Sequence, residues 1–135
     1  SAMTATRRLA PAMHNRGWGR IVLVSSMGVI ASGGLGLWIL QLRGALAAFA
    51  KAISTAFSPH GVTCNTVAPG FFDTELTATY REGEGHEAWI TSRVPVGRWG
   101  RPDEIGWPAA FLCTDAAAFI TGHTLIIDGG TTSSY

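Results

Sequence analysis

The chain has 135 residues, 47% of them apolar and 14% charged, with ten basic against nine acidic residues and a formal net charge of +1. A domain of that length buries about two-thirds of the surface its unfolded chain exposes, and high apolar content with low net charge excludes a disordered segment. All the cations but Lys51 are arginines, and none form a stripe. That excludes a nucleic-acid binder held by charge.

Ser1-Ala2 before Met3 reads as a cloning remnant and is set aside, leaving residues 3–135 as one domain. Thr4 to Asn15 predicts a helix with Ala5, Leu9, Ala12 and Met13 on one face, closed by Arg16-Gly17. Arg20 to Ser25 is a β-branched run of the kind found in a buried parallel strand. No charge occurs between Ile21 and Leu42, a stretch long enough to cross a bilayer. Ser25-Ser26 and Ser32-Gly33-Gly34-Leu35-Gly36 interrupt it, and a strand, a Gly loop and a helix explain the same letters. No membrane segment is therefore expected.

Leu37 to Ser58 predicts a long helix whose polar positions form only a narrow stripe through Gln41, Lys51, Thr55 and Ser58. Such a helix is buried on most sides, in a core or a subunit interface. Val62 to Val67 is a second strand, ending at Ala68-Pro69-Gly70. Phe71 to Trp99 lacks a sustained period and reads as a short-helix lid. Pro102-Asp103-Glu104 opens a further helix, with two acids at the positive end of its dipole. Thr124 to Asp128 is a third strand, closed by Gly129-Gly130. Helix–strand alternation of this kind predicts the α/β class with a parallel sheet. Cys64 and Cys113 both lie in largely apolar stretches and read as reduced core cysteines of a cytoplasmic protein, with a disulfide staple as the alternative.

Four segments taken together, GRIVLVSS (19–26), HGVTCNTVAPGFFDT (60–74), VPVGRWGRPDEIG (94–106) and FITGHTLIIDGG (119–130), closely resemble short-chain dehydrogenases/reductases of the 3-oxoacyl-carrier-protein-reductase type. The resemblance is to the C-terminal half of the family's seven-stranded, doubly wound Rossmann-type sheet, and so implies about three parallel strands with flanking helices. The half carrying the glycine-rich turn that holds the dinucleotide pyrophosphate has no counterpart here. Gly34-Leu35-Gly36-Leu37-Trp38-Ile39 is a poor substitute, because it lacks the third glycine and follows the wrong strand. No NAD(P) site and no cofactor are expected.

The resemblance also locates the family's catalytic Ser at Ser26. The Tyr thirteen residues on and the Lys four beyond it are here Ile39 and Arg43, a register anchored by Gly44-Ala45-Leu46. Ile39 has no proton to give a hydride-accepting carbonyl. Arg43 keeps a positive charge at its position and can hold a carboxylate or an enolate, or pair with an acid across an interface. Ser26, Arg43 and Tyr80 are thus the candidate catalytic residues. Ile39, Phe71, Phe72, Thr74, His86 and Trp89 are the candidate substrate-binding residues. Thr74 matches the position that would hold a nicotinamide amide, but without a cofactor half it reads rather as a cap on the helix that follows at Glu75. Asn65 resembles a structural Asn of the family. His14, His60, His86 and His123 have no metal-ligand spacing between them, so no metal is expected.

Three functions stay open at this point. One is a cofactor-independent, non-redox enzyme (isomerase, cyclase, dehydratase or aldol-type) on a small, apolar, polyketide-like molecule. The second is a non-catalytic partner subunit of a full-length homologue, and the third is the substrate half of a split oxidoreductase. In each case the strand Arg20–Ser25 has an open edge and the helix Leu37–Ser58 an apolar face. Both features predict a homo-oligomer, a dimer or tetramer, with no nucleic-acid or membrane partner.

Overall fold

The structure, a computed structural model, describes residues 1–27, 37–78 and 85–134, and of residues 37–43 and 86 the backbone only. Helix α1 spans Ala2–Arg16 and strand β1 spans Gly19–Val24. Helix α2 (Leu37–Phe57) and strand β2 (Val62–Pro69) follow. Helices α3 (His86–Arg93) and α4 (Asp103–Leu112) precede strand β3 (Thr124–Ile127). The strands form one parallel sheet in the order β1-β2-β3, with Ile21 opposite Cys64 and Val67 opposite Leu125. This is the three-stranded α/β arrangement with flanking helices that the sequence pattern predicts.

The strands are mostly apolar because both faces of the sheet are covered, with Thr63, Asn65 and Thr66 as buried polar residues of β2. On one face Leu23 and Cys64 meet Ala50 and Ile53 of α2, with Ile21, Leu46, Phe49 and Phe57 packed around them. On the other, Val67 meets Leu112 at the end of α4 and Ala117 beyond it, with Val22, Leu125 and Ile127 alongside. Alternate residues of β1 thus feed opposite cores, as the two-residue period of a strand requires. Leu112, Val62, Val67 and Cys64 are fully buried.

Helix α1 begins at Ala2, two residues before its predicted start. The Ser1 hydroxyl accepts from the Thr4 N–H at 3.4 Å and caps it. Gly17 ends α1 in the left-handed conformation that glycine adopts freely. Gly61, just before β2, also has positive φ, and a Cβ there would collide with the carbonyl of Gly17. The α1–β1 and α2–β2 connections can touch because residue 61 is glycine. Strand β2 runs two residues past its predicted end, since Ala68 and Pro69 still pair with Ile126 and Ile127.

Helix α2 ends at Phe57, and a 3-10 turn over Ser58–His60 follows it. Its outer face is less apolar-bulky than predicted, because Ala45, Ala48, Ala52 and Ala56 occupy exposed positions beside Lys51 and Thr55. Among the described residues no helix is long and apolar enough to cross a membrane. Cys113 departs from the core reading. It caps the C-terminus of α4 and is exposed, whereas Cys64 is buried, and both are free thiols.

Candidate active site at the carboxyl ends of the strands

In an open parallel sheet the crevice for ligands lies beyond the carboxyl ends of the strands. Here that region gathers Ser25-Ser26-Met27 after β1, Gly70-Phe71-Phe72 after β2 and Asp128-Gly129-Gly130 after β3. The Ser25 N–H bonds the Val67 carbonyl at 2.8 Å and the Gly70 N–H bonds the Ile127 carbonyl at 2.8 Å, so the ladder continues past the strand ends. Gly70 is needed at this convergence. A Cβ there would lie 2.7 Å from the Asp128 main chain and 3.3 Å from the Met27 sulfur.

A cavity of about 140 Å³ opens here, walled by Phe71, Phe72, Val94, Val96 and Ile127 with Arg98, Glu104 and Asp128 as its charged groups. Phe72 is buried and its ring packs on Gly100, where a Cβ would come within 2.7 Å of it. Phe71 stands edge-on to both Trp89 and Trp99, with ring centroids 6.2 Å apart in each case. Arg93 lies over the Trp89 ring, 5.1 Å from its centroid.

The charged rim is largely self-satisfied. Both terminal nitrogens of Arg98 donate to Glu104, at 2.8 and 2.7 Å, and the Arg101 N–H adds a bond at 2.7 Å. The Arg98 hydrogen bond, followed by that N–H, holds the Glu104 carboxyl down at about 2. Burial pushes the Asp128 carboxyl up, but bonds from Thr132, Gly130 and its own N–H outweigh burial and leave it below its ordinary value. Asp128 is therefore a fixed acceptor at neutral pH, suited to receive a substrate hydroxyl and unsuited to give a proton.

The predicted site residues are brought together only in part. Phe71 and Phe72 line the cavity, while Ser26, Thr74 and Trp89 do not. Ser26 is half-buried just beyond β1. Thr74 enters the 3-10 turn Glu75–Thr77, where the Thr77 hydroxyl accepts from the Thr74 N–H at 3.0 Å and donates to the Phe72 carbonyl at 2.6 Å. Tyr80 lies outside the described residues, as do the side chains of Ile39, Arg43 and His86. The residues 28–36 that hold the Gly34–Gly36 candidate are also outside them. Arg98, Glu104 and Asp128 are the site groups the sequence reading passed over. All three stand inside the motifs quoted above, and only the folded chain places them on one cavity.

The strand exit after β3 does not offer a pyrophosphate free donors from Gly130 or Thr132. At Asp128-Gly129-Gly130 the N–H groups of Gly130 and Thr132 already point at the Asp128 carboxylate, at 2.9 and 2.7 Å. A pyrophosphate there would meet a like charge instead of free donors.

A parallel sheet with helices on both faces and a site beyond its carboxyl ends defines a doubly wound α/β protein. Residues 1–132 match the family described as enoyl-(acyl carrier protein) reductase, and the chain belongs to that family, within the short-chain dehydrogenases/reductases. It is 39% identical over 131 residues to nodulation protein G of Azospirillum brasilense, covering 96% of this chain and 52% of that one. It is 35% identical over 130 residues to a 2-dehydro-3-deoxy-D-gluconate 5-dehydrogenase of Pseudoalteromonas atlantica, covering 96% and 51%. A gluconate 5-dehydrogenase of Burkholderia cenocepacia, solved with NADP and tartrate, superposes with a TM-score of 0.94 at 30% identity over 99% of this chain and 52% of that one. The chain thus spans about half the length of the relatives it matches.

Proposed function

We propose that this chain forms the substrate-side half of the short-chain dehydrogenase/reductase fold and carries out a non-redox step on a small carbonyl compound with an apolar body. The observation that supports it most is the register after Ser26. Isoleucine at 39 removes the acid on which carbonyl reduction depends, while Arg43 keeps the positive charge. In this reading Arg43 stabilises negative charge developing on the substrate oxygen, Ser26 and Tyr80 orient that oxygen, and Phe71 and Phe72 hold the apolar body. Isomerisation, cyclisation, dehydration and aldol-type steps all pass through such an oxyanion. Two of the three relatives named above are dehydrogenases by name, and on this reading the chain shares their substrate pocket but not their hydride transfer.

The test is turnover of carbonyl and hydroxy-carbonyl compounds without nucleotide. We expect conversion that Arg43→Ala lowers about 100- to 1000-fold, the cost of one positioned oxyanion donor, at little loss of stability. Restoring Ile39→Tyr with Arg43→Lys is expected not to create NADPH oxidation. Ketone-dependent NADPH oxidation by that double variant, or by the unmodified chain, would overturn the reading.

A second reading has its own support. Val24 is 65% exposed on the edge of β1, and Trp107, Phe111 and Phe119 are exposed beyond α4 and around it. These surfaces suit a subunit that docks on a full-length homologue or on a nucleotide-binding half. Recovery of a second polypeptide with the chain on purification from its native host would favour that reading.

A further inference from the structure

The fold joins two histidines that lie far apart in the sequence. His14 is in the last turn of α1, and His60 closes the 3-10 turn Ser58–His60 that follows α2. Their ring centroids are 3.8 Å apart with the planes inclined at 55°. His14 also meets Phe57, whose ring stands edge-on at 6.2 Å. Its Nδ1 lies 3.1 Å from Asn15 Oδ1. In the tautomer whose Nδ1–H donates to that oxygen, the lone pair is on Nε2. A hydrogen-bonded Nδ1 with a bare Nε2 is the state in which histidine binds metal.

We propose that His14 and His60 form a two-imidazole site for a borderline divalent transition-metal ion such as Zn²⁺ or Ni²⁺. Among the described residues no cluster of three His, Cys, Asp or Glu side chains occurs, so water completes the coordination. Three features favour this use of the pair. Imidazole nitrogen is a ligand these ions prefer. Half of the site is already oriented by Asn15 and Phe57. His60 is exposed, so its ring can turn from stacking on His14 to sharing an ion with it. The site lies at the amino-terminal end of β1 and β2, since Gly17 and Gly61 follow the two histidine-bearing turns directly. It is therefore at the opposite end of the sheet from the cavity of Phe71 and Asp128. An ion there would clamp α1 to the α2–β2 connection and stabilise the folded chain without entering the active site.

Thermal unfolding of the chain in increasing Zn²⁺ tests this, because an ion bound only by the folded state raises the midpoint with the logarithm of its concentration. We expect that rise in the unmodified chain and its loss in both His60→Asn and His14→Gln. The absence of a rise, or a rise that both variants retain, would overturn the site. A second measurement needs no variant. Substoichiometric Ni²⁺ should broaden the ring resonances of His14 and His60 before that of His123. Broadening of His123 first, or of all three alike, would place the ion elsewhere and refute the proposal.

Discussion

Asn65, buried in the middle of β2, donates from Nδ2 to the main-chain carbonyl of Ile120 at 2.8 Å, and its Oδ1 accepts from the His123 N–H at 3.1 Å. One amide thus ties β2 to the segment leading into β3 and satisfies two backbone groups there. Asn65→Ala would leave that carbonyl and that N–H without their partner in a site only 1% exposed. The expected loss is about 3 kcal/mol in denaturant unfolding, two unsatisfied buried groups at 1–3 kcal/mol each with partial relief by water. A change below about 0.5 kcal/mol would show that the tie is dispensable.

The two thiols should differ sharply in reactivity. Burial pushes the Cys64 thiol up to about 11, so it holds almost no thiolate at pH 8. Cys113 is exposed at the end of α4. A thiol reagent should titrate one cysteine in the native chain and two after unfolding. Labelling followed by peptide mapping should place the fast site at residue 113, and two fast thiols would contradict the buried position of Cys64.

Glu104 provides a pH-dependent contribution whose sign is fixed. Its folded value of about 2 lies below the ordinary 4.5, so the stability it adds is complete above about 4.5 and is lost as the pH falls through about 2. A carboxyl NMR titration should give a Glu104 midpoint near 2. Arg98→Gln should move it back towards 4.5, because the Arg98 hydrogen bond is the largest cause of the depression. An unmoved midpoint would mean that the Arg101 N–H alone sets it.

Self-association is the expected consequence of the open edge of β1. Among the described residues no strand pairs with the outer edge of β1, where Val24 is exposed, and edges of this kind pair with other chains. The exposed alanines of α2 offer a second close-packing face. We expect a dimer or tetramer in sedimentation at micromolar concentration, with Val24→Asp shifting it towards monomer. A stable folded monomer of the unmodified chain would contradict this.

The elements were legible in the sequence because their residues obey local rules. The β-branched run at 20–25 and the acids at 103–104 mark a strand and a helix start whatever surrounds them. Their ends were less legible, because an end depends on a partner: β2 continues to Pro69 only because β3 is there to pair with it. Cys113 was misplaced for a related reason, since its apolar neighbours belong to α4 while the cysteine itself lies just past the helix. The aromatic half of the cavity was visible in Phe71 and Phe72. Its charged rim was not, because the pairing of Arg98 with Glu104 and the turning of Asp128 onto Gly130 and Thr132 are through-space events. The same holds for His14 and His60, whose spacing along the chain carries no metal signature.

On the proposed reading this chain carries the substrate side of the fold without the means to transfer hydride. Calorimetric titration of the chain with NADPH and with NADH tests that claim most directly. We predict no heat of binding up to millimolar nucleotide, because the glycine-rich strand exit after β3 has its N–H groups committed to Asp128. Saturable micromolar binding of either nucleotide by this chain alone would contradict it.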